Sequence, residues 1–323
     1  MSRPMLIATG RPPDEALETL ERVFDLRRLW EAPSLDALLA DGAGDAEAIA
    51  SFGKRPVDAD LLERLPRVRI VSHFGVGYDS VDAAFAARRG IVVTNTPDVL
   101  NEEVADTALG LLIATVREFA CAERWLREGR WSGEGPYRLT SSLRGRTVGV
   151  IGMGRIGRAI ARRLDAFDLP VVYHSRRPQP DLAYRHYPDL VAMARDVDTL
   201  IAILPGGAET RGVINAEVFQ ALGPDGVLIN VARGSVVDEP ALIAALRDGV
   251  ILAAGLDVFA QEPHVPQELI ALPNAVLLPH VGSASVATRR AMADLVVANL
   301  EAYAAGEPPL TPVAETPFTG WSL

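Results

Sequence analysis

The sequence predicts an α/β protein built from two doubly wound parallel sheets, each with helices on both faces. Short apolar segments rich in β-branched residues alternate with helical segments along most of the chain, which is typical of parallel sheets. In the middle of the chain, a glycine-rich turn joins one of these strands to a helix. With 323 residues, 49% of them hydrophobic, the chain is long enough for two domains with large cores.

The first hundred residues alternate predicted strands with predicted helices. The strands are expected at Met5–Thr9, Ala48–Phe52, Val68–Ser72 and Ile91–Thr94. The helices are expected around Glu15–Val23, Leu35–Leu39, Ala59–Arg64 and Val81–Arg88. Because the loop after the first strand, from Gly10 to Pro13, lacks a phosphate-binding glycine pattern, we expect a smaller domain here that does not bind a nucleotide.

The segment Gly75-Val76-Gly77-Tyr78-Asp79 directly follows the third predicted strand. Open α/β sheets bind ligands beyond the carboxyl ends of their strands, and a loop with two glycines there can point backbone N–H groups at an anion. A tight turn that binds no ligand is an equally good interpretation of these residues taken alone.

A long helix is predicted after Pro97-Asp98. It begins at Asn101, a good N-cap, and its apolar residues run densely through Val104–Val116. Because a helix that is apolar nearly all round must be buried, we expect it between domains or against a second subunit, and we favour a homodimer. The segment Glu123–Thr140 carries three aromatic residues that could cross this interface or pack within their own chain.

The central motif begins with the predicted strand Val148–Ile151. A G-x-G-x-x-G pattern follows at Gly152–Gly157, then a helix, then a second strand at Val171–Tyr173. This context predicts a dinucleotide site, because the three glycines would allow, in order, a tight turn, the approach of a pyrophosphate and close helix packing. The pyrophosphate would bind the N–H groups at the start of the helix.

The second strand of this motif ends in His174-Ser175-Arg176-Arg177. NAD sites usually carry an acid in this region, about 20 residues after the glycines, which binds the ribose 2′-hydroxyl. Two arginines and a serine instead suit a 2′-phosphate, since guanidinium groups form bidentate bonds to phosphate. The sequence therefore favours NADP(H) over NAD(H), with NAD(H) still possible. A solvated arginine pair at a strand end is the alternative interpretation.

The rest of the chain continues the alternation, and so extends the sheet that the glycine motif begins. Strands are predicted at Leu200–Leu204, Val227–Val231, Leu252–Leu256 and Val276–Leu278, and helices at Asn215–Ala221, Glu239–Arg247 and Val286–Ala305. The tail from Thr311 to Leu323 contains two prolines and is predicted to be extended.

Three polar residues lie at or just beyond the carboxyl ends of predicted strands: Arg233, Glu262 and His280. Each alone is most simply a surface arginine, a loop glutamate or a histidine at a strand end. Together on one sheet edge they suit carbonyl reduction. The arginine would bind a carboxylate and polarise the adjacent carbonyl, the histidine would protonate the carbonyl oxygen, and the glutamate would hold the imidazole ring and favour its charged form.

Charge and cysteine content limit the partners and the compartment. The net charge of −10 and the lack of a long basic run argue against nucleic acid and an anionic membrane surface. No apolar run approaches the ~20 residues of a membrane span, and no signal-peptide pattern is present. The single cysteine, Cys121, excludes an intramolecular disulfide. We therefore expect a cytoplasmic protein with a small-molecule substrate and no metal site.

Several motifs together resemble the D-isomer-specific 2-hydroxyacid dehydrogenase family, and within it the NADPH-preferring glyoxylate/hydroxypyruvate reductases. The resemblance covers the chain from about Ser51 to Pro312, while the N-terminal fifty residues and the tail carry no distinctive family motif. It rests on the segments Phe74–Asp79, Gly152–Gly157, Asn230–Gly234, Gly255–Phe259, Glu262-Pro263 and Leu278–His280.

The resemblance implies NADPH-dependent reduction of glyoxylate- or hydroxypyruvate-type 2-keto acids to D-2-hydroxy acids. It also implies a flavodoxin-like substrate domain at residues 1–98 and 283–323 and a Rossmann nucleotide domain at residues 99–282, with a cleft between them. A family member with a bulkier 2-keto acid or phosphoglycerate as substrate is one alternative. A second alternative is a corepressor-like protein that senses the dinucleotide and binds peptides.

The resemblance further implies the roles of individual residues. His280 would be the general acid and Glu262 its partner. The substrate carboxylate would be held by Arg233 and by the backbone N–H groups of Val76 and Gly77, with His280 also contacting the substrate. The cofactor would be bound by Gly152, Met153, Gly154, Arg155, Ile156, Gly157, His174, Ser175, Arg176, Arg177, Leu204, Pro205, Thr210, Val231, Ala232, Arg233, Asp257, His280 and Gly282.

Overall fold

The computed structural model describes residues 3–53 and 55–321, which fold into two compact units. Unit 1 comprises Met1–Leu100 and Ser285–Leu323, and unit 2 comprises Asn101–Ala284. Each unit contains one parallel sheet flanked by helices, so the α/β fold class predicted from the sequence is confirmed.

The described part of unit 1 contains five strands and five α-helices. The strands are β1 (Met5–Ala8), β2 (Asp25–Arg28), β3 (Ala48–Ser51), β4 (Ile70–His73) and β5 (Val92–Thr94). The helices are α1 (Asp14–Val23), α2 (Leu35–Ala40), α3 (Ala59–Glu63), α4 (Ala83–Arg88) and a C-terminal helix at Val286–Ala305. The sheet order is β2-β1-β3-β4-β5 with all neighbours parallel, which is the flavodoxin-like order.

Both faces of the sheet in unit 1 are buried. Because successive residues of a strand point to opposite faces, neighbouring side chains of β1 join different cores. Ile7 packs with residues of α2, α3 and α4, whereas Leu6 packs with α1 and the C-terminal helix. The last helix of the chain therefore covers one face of the first sheet.

Unit 2 is built on seven strands: β6 (Val148–Ile151), β7 (Val171–His174), β8 (Arg185–Tyr187), β9 (Thr199–Ala202), β10 (Val227–Asn230), β11 (Ala253–Leu256) and β12 (Ala275–Leu277). Its helices are α5 (Asn101–Val116), α6 (Phe119–Arg127), α7 (Arg130–Gly133), α8 (Arg155–Ala166), α9 (Leu190–Arg195), α10 (Ala216–Leu222), α11 (Glu239–Arg247) and α12 (Gln267–Ile270). The strand order is β12-β11-β10-β9-β6-β7-β8, and all neighbours are parallel.

The burial of α5 has its cause inside unit 2. A Cβ atom on Gly255 of β11 would lie 2.5 Å from Thr115 Oγ1 and 2.7 Å from Leu111 Cγ, so α5 packs directly on the sheet of its own unit. The sequence interpretation, which placed this helix between domains or against a second subunit, is therefore wrong for these residues. Their apolar character gives no information about oligomeric state.

The segment after the C-terminal helix runs along the edge strand β5. Gly306 ends the helix in the left-handed region, with φ +75°. Pro312 then forms an antiparallel bridge with Thr94, and the Val313 N–H donates to the Val93 carbonyl oxygen at 2.9 Å. The tail is predicted to be extended as far as Leu323. Its last two residues, Ser322 and Leu323, lie outside the described residues.

The described residues contain neither a helix suited to span a membrane nor a metal-binding cluster. No helix among them combines the length and the apolar character needed to cross a membrane. No group of three or more His, Cys, Asp or Glu side chains in residues 3–53 and 55–321 is arranged to hold a metal ion.

Candidate active site

The loops that follow the strands of unit 2 leave the sheet at one edge, because all neighbouring strands are parallel. The chain order of the strands reverses between β6 and β9, which makes a topological switch point at this edge, where α/β sheets bind ligands. The site residues predicted in unit 2 lie at or beyond the ends of β6, β7, β9, β10, β11 and β12. The fold thus brings the predicted site residues of unit 2, of which Gly152 is the first and Gly282 the last, to the carboxyl ends of the strands.

Each glycine of the G-x-G-x-x-G motif has its own structural reason. Gly152 has φ +102°, and a Cβ there would lie 2.8 Å from the Ile203 carbonyl oxygen. A Cβ on Gly157 would lie 2.1 Å from the Gly152 carbonyl oxygen. Because glycine has no Cβ, the first turn of α8 can pack directly against the glycine turn. Apart from Gly154 and its two chain neighbours, no described residue places a heavy atom within 4 Å of a Cβ built on Gly154. That open position leaves room for a ligand to approach the backbone.

The open position borders the first turn of α8, which begins at Arg155. Met153 is buried beneath the turn and Ile156 is half-buried in the helix. The first N–H groups of a helix have no partner within its own ladder and carry the positive end of the helix dipole. Together with the missing Cβ of Gly154, they form a cradle that fits the pyrophosphate of a dinucleotide.

The end of β7 carries the predicted 2′-phosphate site. His174 Nδ1 donates to the Tyr187 carbonyl oxygen at 2.9 Å, which fixes the ring against β8. The Ser175 hydroxyl donates to the Arg177 carbonyl oxygen at 2.6 Å, so its proton is already used within the loop. Arg176 and Arg177 are exposed. The two guanidinium groups, rather than the serine, are therefore the donors best placed to bind a phosphate.

One carboxylate lies near this arginine pair. Arg176 Nη1 is 3.5 Å from Glu209 Oε2, and the two side chains are 91% and 81% exposed. An ion pair this exposed contributes little free energy, so Glu209 is a weak competitor for a phosphate bound by Arg176.

The loop after β9 is closed by a hydroxyl group. The Leu204 N–H group lies 3.0 Å from a Cβ built on Gly152, so this loop borders the glycine turn. Thr210 Oγ1 donates to the Pro205 carbonyl oxygen at 2.8 Å. Thr210 therefore shapes the loop that carries Pro205.

Arg233 is carried on a turn that the side chain of Asn230 holds in place. Asn230 is 1% exposed; its Oδ1 accepts from the Ala232 N–H and its Nδ2 donates to the Arg233 carbonyl oxygen, each at 3.0 Å. Val231 and Ala232 are buried in this turn, and Arg233 is half-buried. Arg233 Nη1 donates to the Ala232 carbonyl oxygen at 2.7 Å. These bonds fix the base of the guanidinium-bearing side chain.

His280 and Glu262 form a direct pair. His280 Nδ1 lies 2.8 Å from Glu262 Oε2, and because a carboxylate only accepts, Nδ1 carries the hydrogen in this bond. Glu262 Oε1 accepts from the Phe259 N–H at 3.2 Å, so the carboxylate is held in its own loop. The His280 side chain is 44% exposed and that of Glu262 19%. The arrangement leaves Nε2 of the imidazole as the atom that can give or take a proton.

The backbone of His280 is held by the buried carboxylate of Asp257. His280 has φ +55°, a left-handed conformation that costs free energy and persists only where the surroundings enforce it. Asp257 is 2% exposed and accepts from the Val281 N–H at 2.7 Å and the Gly282 N–H at 2.8 Å. A Cβ on Gly282 would lie 2.9 Å from Asp257 Oδ2, so glycine is needed for this approach.

Burial raises the pKa of the Asp257 carboxyl above its usual value. The two backbone hydrogen bonds and the nearby His280 oppose this shift. Asp257, which the family resemblance implies as a cofactor-binding residue, is thus a structural support of the loop that carries His280.

The loop that carries Arg233 packs closely against the loop that carries Glu262. A Cβ on Gly234 would lie 1.9 Å from the carbonyl carbon of Phe259 and 2.4 Å from the Ala260 nitrogen. The buried Glu239 accepts from the Ala260 N–H at 3.1 Å. Arg233 and Glu262 are therefore on loops whose backbones touch.

In unit 1, the segment Gly75–Asp79 follows β4. The Gly75 N–H donates to the His73 carbonyl oxygen at 3.1 Å. No hydrogen bond among the described residues uses the N–H groups of Val76 or Gly77. These donors are available to an anion, which favours the anion-binding interpretation of this loop over a simple turn.

Three supporting residues had no individual role in the sequence-based prediction: Asn230, Gly234 and Glu239. The first two lie within the quoted motif Asn230–Gly234, and a glycine directly after a candidate arginine is a recognisable signal of close backbone approach. Glu239 gave no such signal, because an acid in the first turn of a helix is ordinarily explained by the helix dipole.

Comparisons with known proteins point to one family. The model of the D-isomer specific 2-hydroxyacid dehydrogenase, NAD binding domain, matches residues 109–282. The chain is 48% identical to a glyoxylate/hydroxypyruvate reductase A of Arabidopsis thaliana over 294 residues, covering 91% of this chain and 94% of the relative. It is 47% identical to a hydroxyphenylpyruvate reductase of Plectranthus scutellarioides, covering 92% of this chain and 94% of the relative.

A solved structure covers the whole chain. It is an NADPH-dependent glyoxylate/hydroxypyruvate reductase from Sinorhizobium meliloti, in complex with NADP and malonate. That chain is 55% identical to this one, both chains are covered completely, and the TM-score is 0.93.

The contact at Gly234 predicts that Gly234→Ala is disruptive. The added methyl group must push the Phe259–Ala260 backbone away, so we expect a loss of about 1–3 kcal/mol in the free energy of unfolding and a fall in turnover. Denaturant unfolding and steady-state kinetics measure the two effects. The matched control is Gly110→Ala, at an exposed helical position with open space around it, where a gain of up to about 1 kcal/mol is expected. Equal behaviour of the two variants would contradict the proposed packing.

Proposed function

We propose that this chain, which belongs to the D-isomer specific 2-hydroxyacid dehydrogenase family, reduces glyoxylate and hydroxypyruvate with NADPH. The products are the corresponding 2-hydroxy acids, of D configuration where they are chiral. The observation that carries the proposal is the His280–Glu262 pair, at 2.8 Å, on the same sheet edge as the glycine turn. The NADP complex of the 55% identical reductase supports the choice of cofactor.

Unit 2 is proposed as the nucleotide domain and unit 1 as the substrate domain. The cradle at Gly154 and α8 would hold the pyrophosphate, and Arg176 and Arg177 would hold the 2′-phosphate. Bound NADPH supplies a hydride to the carbonyl carbon of the substrate. NADH remains a usable but weaker cofactor, since it lacks the phosphate that the two arginines bind. The other residues that the family resemblance implies as cofactor-binding are proposed to have that role.

His280 is proposed to protonate the carbonyl oxygen of the keto acid from Nε2. The hydrogen bond between Nδ1 and Glu262 fixes the ring orientation and leaves only Nε2 for proton transfer. The hydrogen bonds from Val281 and Gly282 to Asp257 keep the histidine loop in place. Arg233 would bind the substrate carboxylate through its guanidinium group, as would the N–H groups of Val76 and Gly77 in unit 1.

A homodimer is proposed, formed through the segment from Phe119 to Leu139. No residue of α6 is buried, although the helix has a distinct apolar side. Phe119, Leu126, Trp131 and Leu139 are 50% to 97% exposed, an unusual concentration of large apolar side chains in one segment. A second copy of this chain is the proposed occupant, and the single cysteine agrees with a cytoplasmic location.

The activity test measures NADPH oxidation with a panel of 2-keto acids of increasing side-chain size. We expect kcat/KM to be highest for glyoxylate and hydroxypyruvate. Hydroxyphenylpyruvate belongs in the panel because of the 47% identical relative. A preference for it would replace the proposed substrates with a bulkier one, and inactivity on all of them would overturn the assignment.

The variant His280→Asn ties the activity to this site. Without a proton donor at this position, kcat is expected to fall about 10²–10⁴-fold. The dissociation constant for NADPH, measured by its fluorescence, should change little. Near-normal turnover in a folded His280→Asn protein would assign proton transfer to another residue.

The double substitution Arg176→Ala/Arg177→Ala tests the phosphate site. Loss of two charge-assisted hydrogen bonds should lower kcat/KM for NADPH roughly 30-fold or more while leaving the value for NADH nearly unchanged. Arg247→Ala is the control, since Arg247 is an exposed arginine paired with Asp248 at the end of α11. A parallel loss with both cofactors would place the 2′-phosphate elsewhere.

The dimer proposal predicts that Leu126→Glu/Trp131→Glu dissociates the protein. Two buried charges at the interface would halve the mass measured by sedimentation, with no change in secondary structure. Phe167→Glu is the control, because Phe167 is 51% exposed and lies outside this segment. A wild-type monomer, or a double variant that stays dimeric, would show that this surface is not the interface.

A further inference from the structure

The loop after β4 has three consecutive carbonyl oxygens held by the body of unit 1. The Gly75 oxygen accepts from the Thr96 N–H at 2.9 Å. The Val76 oxygen accepts from Asn95 Nδ2 at 2.8 Å, and the Gly77 oxygen accepts from His73 Nε2 at 3.1 Å. The loop is therefore fixed through its acceptors, whereas the N–H groups of Val76 and Gly77 make no hydrogen bond to the described residues.

Holding a carbonyl oxygen also sets the direction of the next N–H group. In a planar trans peptide, the C=O of one residue and the N–H of the next point in opposite directions. The Thr96 backbone thereby directs the Val76 N–H away from the body of unit 1. Asn95 directs the Gly77 N–H in the same way, through the oxygen of Val76.

Gly77 depends on two side chains at once. The peptide plane before it is held by Asn95 and the plane after it by His73. Glycine has the largest backbone freedom of any residue, so an unheld Gly77 would sample many orientations of its N–H group. Fixing both flanking planes removes that freedom before a ligand binds.

The ring of His73 is itself held in place. It is 6% exposed, and Nδ1 lies 3.0 Å from the hydroxyl oxygen of Ser51, which is 1% exposed. Because the Gly77 oxygen only accepts, Nε2 must carry a hydrogen; in the neutral ring, Nδ1 then accepts from Ser51. A Cβ on Gly75 would lie 2.9 Å from Nε2, so glycine at 75 makes room for this ring.

Asn95 is held by the C-terminal segment. Thr311 Oγ1 donates to the Asn95 carbonyl oxygen at 2.7 Å, and the Asn95 N–H donates to the Thr311 oxygen at 3.3 Å. Thr311 is in turn held by Asn299 of the C-terminal helix, whose Nδ2 donates to Thr311 Oγ1 at 3.0 Å. Asn299 is fully buried. The chain of hydrogen bonds runs from the last helix to the loop.

We propose that His73 and Asn95 are positioning residues for the substrate carboxylate, acting through the backbone of Gly77. The proposal rests on the proposed function, in which the N–H groups of Val76 and Gly77 bind the carboxylate of the 2-keto acid. Neither side chain touches the carboxylate itself. Asn95 fixes the peptide plane that carries the Gly77 N–H, and His73 fixes the plane that follows Gly77, so that this donor is oriented before the substrate arrives.

The test compares Asn95→Ala and His73→Leu with the wild type. Each variant should raise KM for glyoxylate about three- to tenfold, the range expected for the loss of one hydrogen bond. The inhibition constant of oxamate, an unreactive isostere of a 2-keto acid, should rise by the same factor. The value of kcat and the dissociation constant for NADPH should stay near those of the wild type, because the loss affects substrate binding alone.

Two further variants separate positioning from general destabilisation. His73→Gln keeps a side-chain N–H donor and should recover part of the affinity for oxamate. Asn274→Ala is the matched control, since the Asn274 amide donates to the Leu246 and Leu252 carbonyl oxygens of unit 2 at 3.1 and 3.0 Å. It should lower the melting temperature without changing KM. If His73→Leu does not fold, Asn95→Ala and His73→Gln decide the question.

The outcomes distinguish this proposal from the proposed function. A wild type inactive on all 2-keto acids would overturn both. An active wild type with unchanged KM and oxamate inhibition in Asn95→Ala and in the folded His73 variants would overturn the positioning role alone. An equal loss of oxamate and NADPH affinity would also overturn it, since general loosening of the protein would explain that result.

Discussion

The parallel alignment of the strands in unit 2 is the constraint on which the candidate site depends. Each strand enters the sheet at one edge and leaves at the other, so every following loop emerges on the same side. Side chains at the end of the loops can meet only if the loops themselves pack closely. Gly152, Gly157 and Gly234 permit that packing, because a Cβ at any of them would overlap a neighbouring backbone. The glycines therefore matter for the proposed catalytic residues as much as for the proposed cofactor site.

Buried polar side chains then set the conformation of the loops. Asn230 closes the arginine turn, and Asp257 holds the two N–H groups that follow His280. Burial disfavours the charged form of Asp257, which is why its pKa is raised. Two short hydrogen bonds from the backbone offset part of this cost. In return, the loop can keep His280 in a left-handed conformation that few residues adopt.

The sequence predicted most of the strands because β-branched residues and flanking turns mark buried parallel strands clearly. It did not reveal β2 (Asp25–Arg28) or β8 (Arg185–Tyr187), since these short edge strands consist mainly of polar and charged residues. The glycine motif and the strand-end residues could be located because their chemistry is tied to strand ends. The burial of α5 was predicted, but the surface against which it packs was wrong, because periodicity shows that a helix is buried but not which surface buries it. The supporting roles of Asn230, Asn95 and His73 required coordinates, since a hydrogen bond from a side chain to a backbone group leaves no pattern in the sequence.

Backbone N–H groups pose a particular problem for recognition, because substitution cannot change their chemistry. A chain can control them only through the residues that fix the neighbouring peptide planes. In unit 1 those residues are His73 and Asn95, supported in turn by Ser51 and Thr311. Side chains outside the loop thus orient its N–H groups, which are proposed to bind an anion. The C-terminal segment therefore helps to fix the loop after β4, because Thr311 hydrogen-bonds Asn95 and Asn95 hydrogen-bonds the loop.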